Sequence, residues 1–250
     1  MRAMLLFSML ALVPGWAPSR VDDSEPCDKH QKPFRVSAAG LRDAVHTIAL
    51  TPAWLQAEVS ESTRQRTQVI DSLVAVTLEA GGFGLVPTAV TDSLWKTIRD
   101  STGGLFDPAT GRPDSARTEA ARSQFLRSLH DQFQADAILY SAVLVVPARF
   151  DDGSAKWDGA KQSFANFGKR FLRALLSGGT YQGQTNALSL RTALVGADGQ
   201  LLYDNRGGLQ VLAIPRSGKF IEVPESALLT DRGQVRGAVR IAMCQLVTKR

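Results

Sequence analysis

Apolar and polar positions along the chain follow two alternating periods, and the order of these periods predicts an α/β fold. Short apolar runs bounded by turn residues are typical of strands, whereas apolar residues repeating every three or four positions are typical of helices. Strands are predicted at residues 45–50, 83–86, 137–146, 188–195, 201–203 and 209–214. Helices are predicted near residues 62–80, 90–98, 114–133, 163–177 and 231–247.

These elements fit one sheet flanked by helices. The apolar run from Ala137 to Val146 predicts a central strand that is buried on both faces. Alternation of strands and helices early in the chain predicts parallel neighbours. The dipeptide Asp198-Gly199 predicts a hairpin that adds an antiparallel edge. We therefore expect an α/β fold with a single mixed sheet, a parallel core plus an antiparallel hairpin edge.

Residues 1–17 predict a secretory signal. Arg2 gives a basic start, an apolar run covers residues 3–13, and Pro14-Gly15 interrupts it. Small residues at positions 15 and 17 predict cleavage after Ala17. An uncleaved membrane anchor is the alternative, although this run is too short for a hydrocarbon core about 30 Å thick.

The rest of the sequence predicts a linker followed by one domain. Residues 18–43 carry prolines and many charges without a sustained period, which is typical of a linker. We expect residues 45–250 to form a single α/β domain. Within it, glycines and prolines predict a loop at residues 101–114, and residues 151–186 are predicted to form a helical insertion.

Composition and charge narrow the classes of function. Apolar residues make up 44% of the chain and charged residues 21%, which is typical of a globular protein. The net charge of +5 falls to +4 when Arg2 leaves with the signal, and the excess is spread along the chain. Nucleic-acid binding would need a clustered basic face, so we expect no nucleic-acid partner.

The two cysteines, Cys27 and Cys244, predict a disulfide, because an even number of cysteines in an exported chain favours pairing. The alternative is that Cys244 is a small buried residue while Cys27 is free or pairs between chains. Cys27 follows acidic residues and Pro26 rather than the apolar run. We therefore expect a protein that is not a lipoprotein.

Catalytic motifs are missing from the sequence. It contains no nucleophile elbow, no zinc-protease HExxH and no phosphate-binding loop. Its three histidines show no spacing that pairs one of them with a nucleophile and an acid. We lean towards a protein that is not an enzyme, and we expect no cofactor and no metal.

Two segments are candidate binding surfaces. Trp157-Asp158 stands in a polar stretch beyond the central strand, where α/β sheets often bind ligands; the alternative is that Trp157 folds back onto the core. The predicted helix 163–177 is amphipathic and could dock in a groove or on an anionic membrane; the alternative is that its apolar side packs on the sheet. Its candidate contact residues are Phe167, Lys169, Arg170, Phe171 and Arg173.

The order of elements resembles the α/β domain shared by the amino-terminal domain of TolB, the curli-secretion subunit CsgG and smaller periplasmic lipoproteins of envelope assembly. The residues that carry the resemblance are 47–50, 83–87, 135–140 and the hairpin 188–203. The resemblance implies a role in the cell envelope, and the missing lipid-attachment site departs from the lipoprotein members.

Our leading hypothesis is a non-enzymatic, exported, envelope-associated interaction or assembly domain, periplasmic or secreted, and peripheral to a membrane if it touches one. Its partner would be an envelope protein or a membrane surface that meets helix 163–177. The alternative is a ligand-binding protein or hydrolase with a site near Trp157. An open pocket with convergent polar groups at Trp157 favours the alternative, and a filled sheet end favours the leading hypothesis.

Overall fold

A mixed β-sheet with helices on both faces organises this computed structural model, which describes residue 27 and residues 32–56, 61–151, 154–164, 183–216 and 219–248. Its strands are β1 (Thr47–Leu50), β2 (Trp54–Leu55), β3 (Gly84–Val86), β4 (Ala137–Asp151), β5 (Ser154–Trp157), β6 (Ala160–Ser163), β7 (Gly183–Gly196), β8 (Leu201–Val211), β9 (Ala213–Arg216) and β10 (Lys219–Glu222). The helices are α1 (Ala38–Ala44), α2 (Glu61–Arg66), α3 (Gln68–Ala80), α4 (Thr88–Ser101), α5 (Ser115–Phe133) and α6 (Arg232–Val247).

The sheet combines a parallel and an antiparallel part around β4. Strand β1 lies between β3 and β4 and runs parallel to both. On its other side β4 pairs with β7 in antiparallel register from Ala137↔Gly196 to Phe150↔Gly183, and β8 pairs with β7. The turn at Asp198-Gly199 joins β7 to β8, as predicted. The predicted fold class, an α/β fold with a single mixed main sheet and a hairpin edge, is therefore confirmed.

The two faces of the sheet bury separate cores. Helices α3 and α6 cover one face, where Ile48 and Leu139 meet Val239 in the larger core. Helices α4 and α5 cover part of the other face, where Ile138 packs with Phe125. The apolar residues that repeat at helical spacing along α6 are all buried: Val235, Ala238, Val239, Ala242 and Leu246. Asp231 caps α6, since its carboxylate accepts hydrogen bonds from two backbone amides of the first turn.

The far end of the sheet curls into a small closed unit, which corrects the predicted helical insertion 151–186 over its described part. Residues 154–163, most of which precede the predicted helix 163–177, form the hairpin β5–β6, and β5 pairs with the end of β4. Strand β6 lies beside β8, where the Gln162 carboxamide oxygen accepts a hydrogen bond from the Val211 amide at 3.3 Å. Phe150 and Trp157 fill the space inside. Burial alternates from Ala155 to Trp157 in β5 and along β6, which is the period of a strand.

The predicted linker 18–43 is wrong over its described residues, because they pack against the sheet edge and α6. We call residues 27 and 32–44 the amino-terminal clasp. Residues 38–44 form α1, capped by the Ser37 hydroxyl, with Leu41 in the core. The Arg35 amide donates to the Leu202 carbonyl at 2.9 Å, so the segment runs along the free edge of β8. Arg42 donates to the Leu246 carbonyl at 3.2 Å and thereby caps the carboxyl end of α6.

The cysteines complete this clasp. Cys27 and Cys244 lie at disulfide-bonding distance, with their Cα atoms 5.4 Å apart, so the predicted pairing is confirmed. This bond joins the amino-terminal segment to α6, which packs along β8. Residues 1–26, including the predicted signal, lie outside the described residues.

Candidate functional site

Trp157, a predicted binding residue, is part of the core rather than the wall of an open pocket. Its side chain is only 7% exposed. The indole N–H donates to the Leu188 carbonyl at 2.9 Å, at an irregular point of the β7–β8 pairing. The ring lies so close to Gly208 that a Cβ there would sit 2.6 Å from the indole nitrogen. Trp157 therefore fills the sheet end.

Asp158 holds the β5–β6 turn onto the sheet. It has a positive φ of 38° and is followed by Gly159 at φ 74°, the conformation of a tight hairpin turn. The Ser189 hydroxyl donates to the Asp158 carboxylate at 2.5 Å, and the Gly208 amide donates to its carbonyl at 3.1 Å. Asp158 keeps part of its surface exposed, at the border of the region described next.

The other predicted contact residues, Phe167, Lys169, Arg170, Phe171 and Arg173, lie outside the described residues. Of the predicted helix 163–177, Ser163 ends β6, and Phe164 packs its ring 5.9 Å from that of Phe150. The proposal that residues 165–177 make a partner or membrane contact therefore stays a prediction from the sequence.

The described residues contain a part of the sheet that neither α4–α5 nor the β5–β6 hairpin covers. It lies on the same face as these elements and between them. We call it the open face and define it by the residues Trp54, Tyr140, Ala142, Leu144, Arg191, Ala193, Asp204 and Arg206. Trp54 is 59% exposed and Arg206 is exposed, while the other six are half-buried. On the opposite face of β4, by contrast, Leu139 and Val143 are almost fully buried under the helices.

The strand register arranges the open face in rows. Residues paired across neighbouring strands point to the same side of a sheet. Trp54 pairs with Ala142, Ala142 with Arg191, and Arg191 with Arg206, which makes one row across four strands. A second row, nearer to α4 and α5, consists of Tyr140, Ala193 and Asp204. The alanines form a shallow floor between an aromatic side and a charged side.

One ion pair dominates the electrostatics of the open face. The Arg191 guanidinium donates two hydrogen bonds of 2.8 Å to the two Asp204 carboxylate oxygens. This contact raises the pKa of Arg191, so its charge is permanent. At the aromatic side, burial raises the pKa of the Tyr140 hydroxyl, which keeps it a neutral phenol. The surface thus offers aromatic rings and fixed positive charge rather than a titrating acid–base pair.

The fold positions Trp54 at a topological switch point. The connection from β1 to β3 passes over one face of the sheet through α3, whereas α4 and α5 connect β3 to β4 over the other face. Crevices beyond the carboxyl ends of strands at such points are favoured binding places in α/β proteins. The loop after β1 is held there by Thr51, whose hydroxyl donates to the Leu139 carbonyl at 3.1 Å.

The edge of β4 next to the open face is blocked against further strand pairing. Beyond β2, the Val145 amide donates to the Gln56 side-chain oxygen at 3.3 Å. Pro147 has no amide hydrogen to offer. These two features protect an otherwise free sheet edge, so a partner would meet the face rather than extend the sheet.

A cleft of about 530 Å³ lies elsewhere, at the far end of the other face. It opens between β4–β7 and the β9–β10 hairpin, and polar side chains at its wall include Gln184, Asn186 and Glu222. Among the described residues no group of His, Cys, Asp and Glu could hold a metal ion. None of the helices in the described part of the chain is long and apolar enough to cross a membrane.

Sequence reasoning missed the open face. A signal was present in part: Arg191 interrupts the apolar strand 188–195, and Asp204 follows its hairpin return. The Asp198-Gly199 turn would have brought these two side chains to neighbouring positions of one face. Trp54 carried no such signal, because its place depends on the pairing of β2 with a strand almost ninety residues later in the chain.

The comparisons with known proteins give little beyond this geometry. No protein-family model matches the chain, and no curated protein matches it. Two solved dodecamer structures of PelC from Paraburkholderia phytofirmans, one of them a point variant, are similar to it at a TM-score of 0.35 and 12% identity. The aligned regions cover 87% and 88% of this chain and 96% of each PelC chain. A likeness of this size carries no argument about function.

Proposed function

We propose that this protein is a non-enzymatic, exported interaction domain of the cell envelope and that the open face is its contact surface. The observation that carries the proposal is the open face itself. On this face of the sheet, α4 and α5 cover one end and the β5–β6 hairpin covers the other. Trp54, Tyr140 and Arg191 stay accessible between them. Tryptophan, tyrosine and arginine are the residues most enriched at the energetic centres of protein interfaces.

The filled sheet end also supports an interaction domain over a ligand-binding enzyme. A site at Trp157 would need an open pocket with convergent polar groups, as in known ligand sites. The indole is instead buried, and its N–H is already bonded to the Leu188 carbonyl. The Ser189 hydroxyl beside it is fully buried and bonded to Asp158, which leaves it no access to a substrate.

The proposal of export rests on two features of the chain. The first is the predicted signal at residues 1–17, with cleavage after Ala17. The second is the Cys27–Cys244 pair, since disulfides persist in oxidising compartments. The resemblance of the element order to the TolB amino-terminal domain and CsgG is the reason for proposing the envelope rather than the medium.

Affinity capture from envelope extracts of the source organism tests the proposal. The mature chain serves as bait beside two matched variants, Trp54→Ala on the open face and Phe106→Ala in the loop 101–114. Both replaced rings are more than half exposed, at 59% and 57%, so neither change should disturb folding. We expect a reproducible envelope protein that is captured by the wild type and by Phe106→Ala but lost with Trp54→Ala. Equal capture by all three baits contradicts a role for the open face.

A further inference from the structure

The charged side of the open face carries two arginines, and among the ion pairs of the described residues only Arg191 takes part in one. Arg191 and Arg206 stand directly opposite each other on β7 and β8. Like charges at directly opposed positions of a sheet repel each other. Asp204 binds Arg191 through both of its carboxylate oxygens. Among the described residues, Arg206 has no ion pair.

An acidic group from outside the chain is the natural complement of this arrangement. A carboxylate beside Arg206 would remove the repulsion between the two guanidinium groups. Arg191 also keeps N–H groups that its contact with Asp204 does not use, and these could bind the same carboxylate. The charge pattern therefore favours an anionic partner at the β8 side of the row.

The size of the open face favours a short segment over a second folded domain. Its four strands span about 14 Å at the usual strand spacing, and its rows from Tyr140 to Leu144 span about 13 Å. The resulting area is about 200 Å², whereas a stable protein interface buries about 800 Å² on each partner. A second copy of this chain would need far more surface than the open face supplies.

We propose that the open face binds a short acidic segment of a partner protein, with a carboxylate at Arg206 and a large apolar side chain against Trp54. The proposal rests on the proposed function and adds the chemistry of the partner. The row from Trp54 to Arg206 fixes the spacing of these two groups. At about 3.3 Å per residue, an extended segment covers it in about four residues.

Peptide selection followed by binding measurements tests this inference. A random-peptide phage library is panned on the purified full chain, and the enriched peptides are titrated by fluorescence anisotropy. The variants Arg206→Glu and Trp54→Ala probe the two ends of the row. The controls are Arg127→Glu on α5, also an exposed arginine, and Phe106→Ala. Circular dichroism verifies that every variant is folded.

We expect enriched peptides to carry Asp or Glu about four residues from a large apolar residue. Arg206→Glu and Trp54→Ala should each weaken their binding by about tenfold or more, and the controls should leave it unchanged. Binding should also weaken as salt is added. If the selected peptides bind all variants equally, the inference is wrong, but the proposal that the chain is an interaction domain is not contradicted. Failure to enrich any peptide also overturns the inference, and the affinity capture decides separately on the proposed function. Dimerisation of the purified chain through Trp54 overturns the inference in favour of a second copy.

Discussion

Two adjacent glycines allow β8 to be packed tightly on both faces. A Cβ at Gly207 would lie 2.0 Å from the Ala238 carbonyl oxygen, so α6 rests directly on the strand backbone. On the other face, a Cβ at Gly208 would lie 2.5 Å from the Ala160 Cβ, beneath the β5–β6 hairpin. The absence of side chains here thus determines where both α6 and the hairpin sit.

Replacement of Gly207 by alanine should therefore destabilise the protein. The contact is with helix backbone, which cannot rotate away, so we expect a loss of about 3 kcal/mol in the free energy of unfolding. Urea denaturation followed by circular dichroism measures it. Gly183→Ala is the matched control in β7, since no atom of the described residues lies within 4 Å of its added Cβ. Equal stability of the two variants would show that α6 does not pack at Gly207.

The indole N–H of Trp157 leads to a second prediction. Trp157→Phe keeps an aromatic ring but leaves the buried Leu188 carbonyl without this donor, at a cost of about 1–3 kcal/mol. Trp95→Phe removes the same volume from a ring that packs edge-on against Phe125 and for which no N–H hydrogen bond is found among the described residues. Thermal unfolding of both variants should show the larger decrease for Trp157→Phe. The reverse order would argue against a structural role for the Trp157 hydrogen bond.

At the level of elements, the sequence predicts those features that depend on residues close together in the chain. The Asp198-Gly199 turn and the helix at 231–247 are predicted because each depends on neighbouring residues only. The sequence predicts separate strands at 201–203 and 209–214, yet β8 runs without a break through Gly207-Gly208 to Val211. Glycine weakens a strand locally, but close packing on both faces overrides that preference. Such packing is not visible in the sequence.

The amino-terminal clasp shows the same limit. Its prolines and charges predict a linker, but Phe34 packs its ring 5.3 Å from that of Tyr203, and Pro33 accepts a hydrogen bond from the Asp204 amide. These contacts join positions about 170 residues apart, which no local pattern reveals. The cysteine pair was predictable because the prediction needed only the number of cysteines and the expectation that the chain is exported.

Loss of the cysteine pair should destabilise the clasp and α6 together. The double variant Cys27→Ser with Cys244→Ser is expected to lose about 2–4 kcal/mol of unfolding free energy, because the unfolded chain is no longer cross-linked. Denaturation of the wild type with and without reductant provides the comparison, and the reduced wild type should match the double variant. Mass spectrometry of the unreduced protein should find no free thiol. Two free thiols in the exported protein contradict the pairing.

At the scale of the whole molecule, export is the property that the sequence predicts most directly. We expect the mature chain to begin at Pro18, because small residues precede the bond after Ala17. Amino-terminal sequencing of protein from the envelope fraction measures this. An intact Met1 on the exported protein contradicts cleavage at that bond.

The open face, by contrast, emerges only from the assembled sheet. Its central row takes one residue from each of β2, β4, β7 and β8, and its exposure depends on where α4–α5 and the β5–β6 hairpin end. Neither the pairing of these four strands nor the ends of the covering elements can be predicted from residues that are neighbours in the chain. The candidate site therefore required the structure, while the fold class did not.

In-cell photo-crosslinking tests the central claim, that the open face is the contact surface, most directly. A photoreactive phenylalanine analogue replaces Trp54 or Leu144 on the open face, or Phe106 or Val76 on other exposed surfaces. After irradiation of living cells, positions 54 and 144 should give the same discrete protein adduct, and positions 76 and 106 should not. Adducts confined to positions 76 and 106, or no adduct at positions 54 and 144, would contradict the account.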